Sequence, residues 1–356
     1  MTNSTIPKDR FYILVRLYAL LYNVSWRDLH MSNRNVNLDL VKVLASIGVV
    51  GLHAIGMVNY SIYYFCDFAV PLFMMVNGYL MFNKSGITPA YAFTKILSLL
   101  KIVVCWNLLI ILPVMVLRHK FVNPIRLCVN CLFQKGYLWH FWYFGALIII
   151  YLALPLIHHL IKNRPLLHLI LVVILVLISV TISIMSMVRG YSIQKYVPQT
   201  LRIWTWLMFF LFGGLCTTSY FDKLLNIPLW LHSVLTAVFA FVNNIVEKKV
   251  GLYLIHERIA DLFYDDITSI IWYCLLFTLL LRVPLSALVK KAATRIEPLT
   301  LGIFIIHPIL LAGASSVYTP SGTLSAVIFF VLITLLSGIV SFIMRRVVII
   351  RELIRL

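Results

Sequence analysis

The sequence is poor in charge, and above all in negative charge. Of its 356 residues only 12% are charged, and 12 Asp and Glu stand against 30 Lys and Arg. An average soluble domain carries about 25% charged residues. Hydrophobic residues make up 62% of the chain, which excludes disorder, because unfolded segments are poor in them. One soluble core cannot enclose so much apolar surface, since such cores stop growing at about 250–300 residues. The solvent of this chain must therefore be lipid.

Several other features are missing. The sequence has no repeat of fixed period, no low-complexity tract and no polar stretch long enough for a second domain. Its six cysteines are scattered, and the lone Cys128-x-x-Cys131 is too weak a pattern for a metal or disulfide site. We therefore expect no metal and one membrane domain over residues 34–345. A short basic tail, 346–356, follows it.

Residues 1–33 are basic and precede this domain. They lack the layout of a signal peptide, because Arg16 interrupts the apolar run and no small-residue cleavage site follows. Phe11–Trp26 is flanked by basic residues and fits an amphipathic segment in the inner membrane interface. A poorly ordered, or wrongly assigned, extension before Met31 explains the same residues equally well.

Long apolar runs dominate what is present. A spanning helix needs about 20 mainly apolar residues, and ten windows qualify, of which 203–219 and 267–284 are short. They are 39–58, 65–82, 99–117, 140–161, 166–187, 203–219, 227–246, 267–284, 299–316 and 323–344. Ten crossings put both termini on one side, and that side then carries 20 of the 30 Lys and Arg. Basic residues favour the cytoplasm. The sequence thus predicts an all-α polytopic membrane protein with about ten transmembrane helices and cytoplasmic termini.

The first helix carries three ionisable residues, Asp39, Lys42 and His53. At 100° per residue, Lys42 and His53 lie within about 20° of one another around the helix, and Asp39 within about 40° of His53. A charge inside a span costs about 2.5–3.5 kcal/mol and usually marks function. Asp39 and Lys42 are three residues apart and can partly neutralise each other. A neutral His53 can accept a proton from a hydroxyl, as a general base does.

Two more histidines lie in or beside predicted spans. His140 is followed by Trp142 and Tyr143, which fit either a functional site or an aromatic belt at the outer interface. His307 precedes Pro308, so it fits a site or a kink in the helix.

A cluster of acidic residues lies in a predicted outer loop. We expect its members to form a charged, solvated face: Glu257, Asp261, Asp265 and Asp266.

Four stretches together resemble an integral-membrane acyltransferase family, often called acyltransferase 3. Asp39-x-x-Lys42-x10-His53 is similar to its D-x-x-R-x10-H pattern, and FAVPLFMMVNGYLMF to its VPLFF-x-x-SGYL element. HFWYFGALIIIYLALPLI and GIFIIHP are similar to its fourth-helix and late H-P elements. The matches run from residue 39 to 308 in the family's order. Lys42 replaces the usual Arg, and Lys95-x-x-Ser98 stands for the family's R-x-x-R run.

The resemblance implies transfer of an acyl group, most often acetyl from acetyl-CoA, to a sugar hydroxyl. It makes His53 the general base or acyl carrier. Lys42, with Asp39 one turn away, is expected to steady the thioester or a phosphate of CoA. CoA is a cytosolic polyanion, and Lys84, Lys95 and Lys101 are the basic residues expected to bind it from the inner side. His140, Trp142, Tyr143 and His307 are expected to line the acceptor side or to be structural. No cofactor is expected to stay bound, and nucleic acid is not an expected partner.

The expected acceptor is a cell-surface polysaccharide or its lipid-linked precursor, and the expected location is the cytoplasmic membrane of a bacterium. Capsule or exopolysaccharide is the first expectation, because the wording of the first two motifs is closest to Gram-positive members. A transporter or flippase of a polysaccharide pathway, with Asp39, Lys42 and His53 as a polar relay, stays open. So does a scaffold in a polysaccharide-assembly complex.

Overall fold

A computed structural model describes residues 34–118, 121–224 and 227–354 of the chain. The predicted interfacial segment Phe11–Trp26 lies outside the described residues. The residues from Asn37 onward form one compact unit. The described residues contain helices and turns but no strand, so the expected all-α fold is confirmed.

Fifteen α-helices follow one another along the described chain. They are α1 (Val36–Ala54), α2 (Tyr60–Tyr64), α3 (Ala69–Phe82), α4 (Pro89–Arg118), α5 (Pro124–Leu132), α6 (Trp142–Ile161), α7 (Pro165–Arg189), α8 (Ile203–Leu215), α9 (Ser219–Leu224), α10 (Leu229–Tyr253), α11 (Ile267–Arg282), α12 (Ala287–Ile296), α13 (Thr300–Ser315), α14 (Thr323–Arg346) and α15 (Val348–Arg351). Short 3₁₀ turns join some of them, including Trp139–Phe141 directly before α6.

In the part of the chain that the structure describes, eight helical segments are long and apolar enough to cross a membrane. They include Tyr60–Phe82, which joins α2 and α3, and Ala287–Ser315, which joins α12 and α13. The two windows predicted to be short form α8 and α11, of 13 and 16 residues. Each of the ten predicted windows therefore contains an apolar helix. Ten crossings and cytoplasmic termini stay predictions.

The helices differ in how much protein surrounds them. In α1 and in Tyr60–Phe82, 61% of the most apolar window is buried inside the protein, against 22% in α7, α10 and α14. A helix that is apolar all round but half exposed needs lipid on its outer face. The motif-bearing helices α1 and α3 therefore lie at the centre of the bundle, with α7, α10 and α14 at its edge.

The helices α3 and α8 touch backbone to backbone. A Cβ atom on Gly78 would lie 1.7 Å from the carbonyl oxygen of Phe210, and one on Gly213 would lie 1.9 Å from that of Met75. Small residues permit this approach between membrane helices, where dispersion contacts replace the hydrophobic effect. The glycine in the VNGYL motif is thus required by packing.

The acidic loop departs from the expectation. Asp265 and Asp266 are 2% and 4% exposed, so the predicted solvated face is wrong for both. Asp265 accepts hydrogen bonds from Thr205 Oγ1 (2.5 Å) and Trp204 Nε1 (3.2 Å), and Asp266 accepts one from Ser183. Burial raises the pKa of Asp266 to about 7. These carboxyl groups fasten the loop to α7 and α8 rather than facing water.

Candidate active site

Lys42, in the polar stripe of α1, forms an ion pair with a residue from another part of the chain. Lys42 Nζ lies 2.7 Å from Glu297 Oε1, in the 3₁₀ turn between α12 and α13. The two side chains are 23% and 20% exposed, so their ion pair is partly shielded from solvent. Asp39, one turn earlier on α1, is buried. The pair fixes the position of the Lys42 ammonium group and ties α1 to the turn before α13.

A cavity of about 400 Å³ opens beside this ion pair. Lys42, Lys95 and Arg345 supply cationic groups to its lining, and Arg345 also donates to the carbonyl of Pro298 at 2.7 Å. Most other lining residues are apolar or aromatic, among them Leu99. A cavity with basic groups and apolar walls suits a ligand that carries an anionic group on an uncharged arm.

A short hydrogen-bonded chain crosses the wall of the cavity. Asn77 Nδ2 donates to the hydroxyl of Tyr143 (2.9 Å), and the hydroxyl of Tyr151 donates to Asn77 Oδ1 (3.1 Å). Asn77 Nδ2 also donates to the carbonyl of Phe73, one turn earlier in α3 (2.9 Å). The amide therefore joins α3 to two tyrosines of α6. This is the role of Asn77 at the position where the resembling motif has Ser.

Three histidines from distant parts of the sequence form a cluster. The rings of His53 and His307 are stacked with centroids 5.4 Å apart, and the centroids of His140 and His307 are 6.1 Å apart. Trp139 packs edge-on against His53 at 5.0 Å. The cluster joins the end of α1, the 3₁₀ turn before α6, and α13.

The cluster contains ring nitrogens that are free to react. His307 is completely buried, and its Nδ1 lies 2.9 Å from the carbonyl oxygen of Ile303. Since a carbonyl only accepts, Nδ1 carries the hydrogen, and Nε2 of the neutral ring holds a lone pair. That Nε2 has no hydrogen-bond partner among the described residues, nor has either ring nitrogen of buried His140. Buried polar atoms without a partner are rare and call for an explanation, which a substrate group would supply.

Phe304 separates the cavity from the histidine cluster. Its ring lines the cavity and packs against Tyr143, with the centroids 5.7 Å apart, and against His140, with the centroids 5.4 Å apart. Lys42 and His53 are eleven residues apart on α1, a rise of roughly 16 Å. The cavity and the histidines thus follow one another along the first helix, and the ring of Phe304 borders both.

The residues predicted to bind the donor are not all in one place. Lys95 lines the cavity, whereas Lys101 forms an exposed ion pair with Glu352 (3.8 Å). Lys84 lies over the ring of Tyr91 at 5.0 Å. Neither Lys84 nor Lys101 is among the residues that line the cavity. Of the three lysines predicted to bind the donor, Lys95 is therefore the one that lines the same cavity as Lys42.

The aromatic residues after His140 also separate. Tyr143 lines the cavity and packs against Phe304. Trp142 instead packs against Trp206 of α8, with ring centroids 5.0 Å apart. Its contact there is with another helix of the bundle, while Tyr143 faces the open space.

Among the described residues, no three His, Cys, Asp or Glu side chains are arranged to hold a metal ion. The six cysteines are free thiols, including Cys128 and Cys131.

The comparison with protein families gives a match over most of the chain. The family model described as an acyltransferase domain matches residues 35–346, and so covers α1, both regions of the site and α14. The search of curated proteins gives no match, and neither does the search of solved structures.

Proposed function

The chain belongs to the family of this acyltransferase domain, and from that premise we propose that it moves an acetyl group from acetyl-CoA to a sugar hydroxyl. The acceptor is a cell-surface polysaccharide or its lipid-linked precursor, and the enzyme works in the cytoplasmic membrane of a bacterium. The observation that carries the proposal is the succession along α1 of a cavity with cationic groups and a cluster of histidines.

The cavity is suited to the donor. Lys42, Lys95 and Arg345 offer positive charge to the phosphates of CoA. A volume of about 400 Å³ suits the pantetheine arm and leaves the nucleotide outside. The apolar walls exclude water from the thioester, which protects it from hydrolysis. The donor then enters from the side that carries most of the basic residues.

The histidine cluster supplies the base. The acceptor oxygen attacks the thioester carbonyl while its proton passes to a free imidazole nitrogen, on His53 or on His307 Nε2. The C–S bond breaks as the C–O ester bond forms. The imidazolium then returns the proton to the departing thiolate, so the products are the ester and CoA thiol. A covalent route, in which His53 carries the acetyl group, uses the same residues in two steps.

In either route, Phe304 limits access of the acyl group to the histidines. Its ring lies between the cavity and His140, so the acyl carbon reaches the histidines only when this ring turns or the arm passes beside it. A ring of this size also excludes water between substrates. Acyl transfer therefore involves a local rearrangement around α13.

The experiment is a transfer assay with the full chain in lipid nanodiscs. Labelled acetyl-CoA is supplied with the polysaccharide of the source cell, and both CoA thiol release and label in polysaccharide are measured. We expect transfer by the wild type and by His159→Ala, an exposed histidine at the end of α6, but none by His53→Ala at equal protein level. Full transfer by His53→Ala would refute its role, and an absence of acetyl-CoA turnover in the wild type would favour the transporter.

A further inference from the structure

Two acidic side chains lie against each other inside the protein, away from the cavity. Asp67, in the turn between α2 and α3, and Glu247, near the end of α10, are both 0% exposed. Their carboxyl groups lie within hydrogen-bonding reach of each other. Cys66 packs against α1 at Gly51, two residues before His53, so the pair lies towards the His53 end of that helix.

The two carboxyl oxygens of Glu247 differ in their hydrogen-bond partners. Its Oε1 accepts from Asn243 Nδ2 at 2.9 Å and lies 3.0 Å from Ser269 Oγ, whose single hydrogen is directed at Asn243 Oδ1 at 2.8 Å. Its Oε2 has no other hydrogen-bond donor among the described residues, so the carboxyl group of Asp67 is the partner left to it. Ionised carboxylates only accept hydrogen bonds. A bond between two carboxyl groups therefore requires a proton on one of them.

Electrostatics lead to the same requirement. Two ionised carboxylates in contact repel each other strongly where water is excluded, and one of them retains its proton. Aromatic side chains close the surroundings: Phe65 and Phe68 pack on Trp272, with ring centroids 6.3 and 6.0 Å apart. A proton held in such a pair belongs to both groups and not to one of them.

A metal ion fits this place less well than a proton. Asn243 Oδ1, the other nearby amide oxygen, already accepts from Thr268 and Ser269 at 2.9 and 2.8 Å. The two carboxyl groups alone give too few oxygen ligands, since hard cations take about six or more. The hydroxyl of Tyr273, buried and without a conventional partner, is directed at Asp67, where it serves as a donor.

We propose that Asp67 and Glu247 form a binding site for one exchangeable proton, distinct from the cavity and the histidine cluster. The groups facing it are the hydroxyls of Tyr63, Tyr64, Tyr264 and Tyr273, the thiol of Cys66 and, as charged groups, Asp266 and Arg258. This site does not depend on the proposed acyl transfer.

Two of these tyrosines contact the loop after α10. Tyr64 donates to the carbonyl of Arg258 (3.1 Å), and Tyr63 accepts from the backbone N–H of Ala260 (2.9 Å). Because α10 is also fastened to α2 by Asn244 and Lys248, which donate to Ser61 at 2.6 and 2.8 Å, the proton holds together two elements that are already in contact.

The test is infrared difference spectroscopy of the purified full chain in nanodiscs at neutral pH. We expect the wild type to show a protonated-carboxyl C=O band that moves to lower frequency in D₂O. Asp67→Asn and Glu247→Gln should each remove the pair's part of that band, since the new amide donates to the remaining carboxylate in place of the shared proton. The part that belongs to Asp266, which Asp266→Asn removes, should stay. Glu352→Gln, at an exposed ion pair, is the control and should leave the band unchanged.

Three outcomes overturn the proposal. If Asp67→Asn and Glu247→Gln each remove a different part of the band, the pair holds two protons. A band that neither substitution changes means two ionised groups or another acid. A wild-type band that does not shift in D₂O means that the proton does not exchange, and this measurement requires no variant. If one variant fails to fold, the other carries the comparison, because each removes one of the two acids.

Discussion

His53 and His307 stack their rings with centroids 5.4 Å apart and an angle of 14° between the planes. They come from the first and the thirteenth helix, 254 positions apart in the sequence. The backbone carbonyl of Ile303 orients His307, so its free Nε2 is held in a fixed direction. Either imidazole can take a proton from one substrate group and return it to another without leaving its place.

The first prediction concerns His307. His307→Ala should lower kcat for acetyl transfer by about 10²–10⁴-fold, the range for the loss of a general base. The KM for acetyl-CoA should change little, because the cationic groups line the cavity on the other side of Phe304. Steady-state kinetics in nanodiscs measure both constants, with exposed His159→Ala as the control. A kcat within twofold of the wild type would assign His307 to packing alone.

The second prediction concerns the ion pair at the cavity. Lys42→Arg should keep activity, since the guanidinium also reaches Glu297, and Lys42→Ala should raise the KM for acetyl-CoA by tenfold or more, which corresponds to about 1.4 kcal/mol. Glu297→Gln should give a smaller increase, because it leaves the Lys42 charge in place but less firmly positioned. Lys290→Ala, an exposed lysine of α12, is the matched control. An unchanged KM in Lys42→Ala would remove this residue from the donor site.

The sequence predicts the helices well because their signal is local. The apolar windows and the polar stripe of α1 depend only on neighbouring residues, and each reappears as a helix in the structure. The histidine cluster needs more, since His53, His140 and His307 meet only through long-range packing. Each was predicted separately, and nothing in the spacing shows that their rings touch.

Three acidic residues were missed in the sequence analysis, for identifiable reasons. Glu297 is an isolated acid just before an apolar helix, and its partner is 255 residues away. Asp67 is an acid inside the predicted span 65–82, a signal that the sequence does contain. Glu247 follows the predicted span 227–246 directly, but α10 continues to Tyr253. Because the helix is longer than its apolar window, Glu247 is buried rather than solvated.

The third prediction is a pH dependence of stability. Burial raises the pKa of Asp266 to about 7, whereas an Asp in an unfolded chain has a pKa of about 3.9. The folded state therefore holds this proton where the unfolded state has lost it, and stability decreases as the pH rises from about 4 to about 7. Asp266→Asn should flatten this decrease, which amounts to roughly 4 kcal/mol at most.

Thermal melting of detergent-purified protein between pH 5 and 8 measures the effect as the difference between wild type and variant. Glu257→Gln makes the same change of charge in an ion pair with the exposed Lys195 and should retain the wild-type slope. Identical slopes in wild type and Asp266→Asn would show that Asp266 is ionised throughout this range.

The last prediction tests the contact between α3 and α8. Gly78→Ala puts a methyl group 1.7 Å from the Phe210 carbonyl oxygen, and since that atom belongs to a helix backbone, the helices must separate. We expect loss of folded protein after detergent extraction. Gly338→Ala adds the same methyl group to α14, where nothing lies within 4 Å, and should stabilise that helix by up to about 1 kcal/mol. Equal yields and melting temperatures for Gly78→Ala and the wild type would show that α3 and α8 are not in backbone contact.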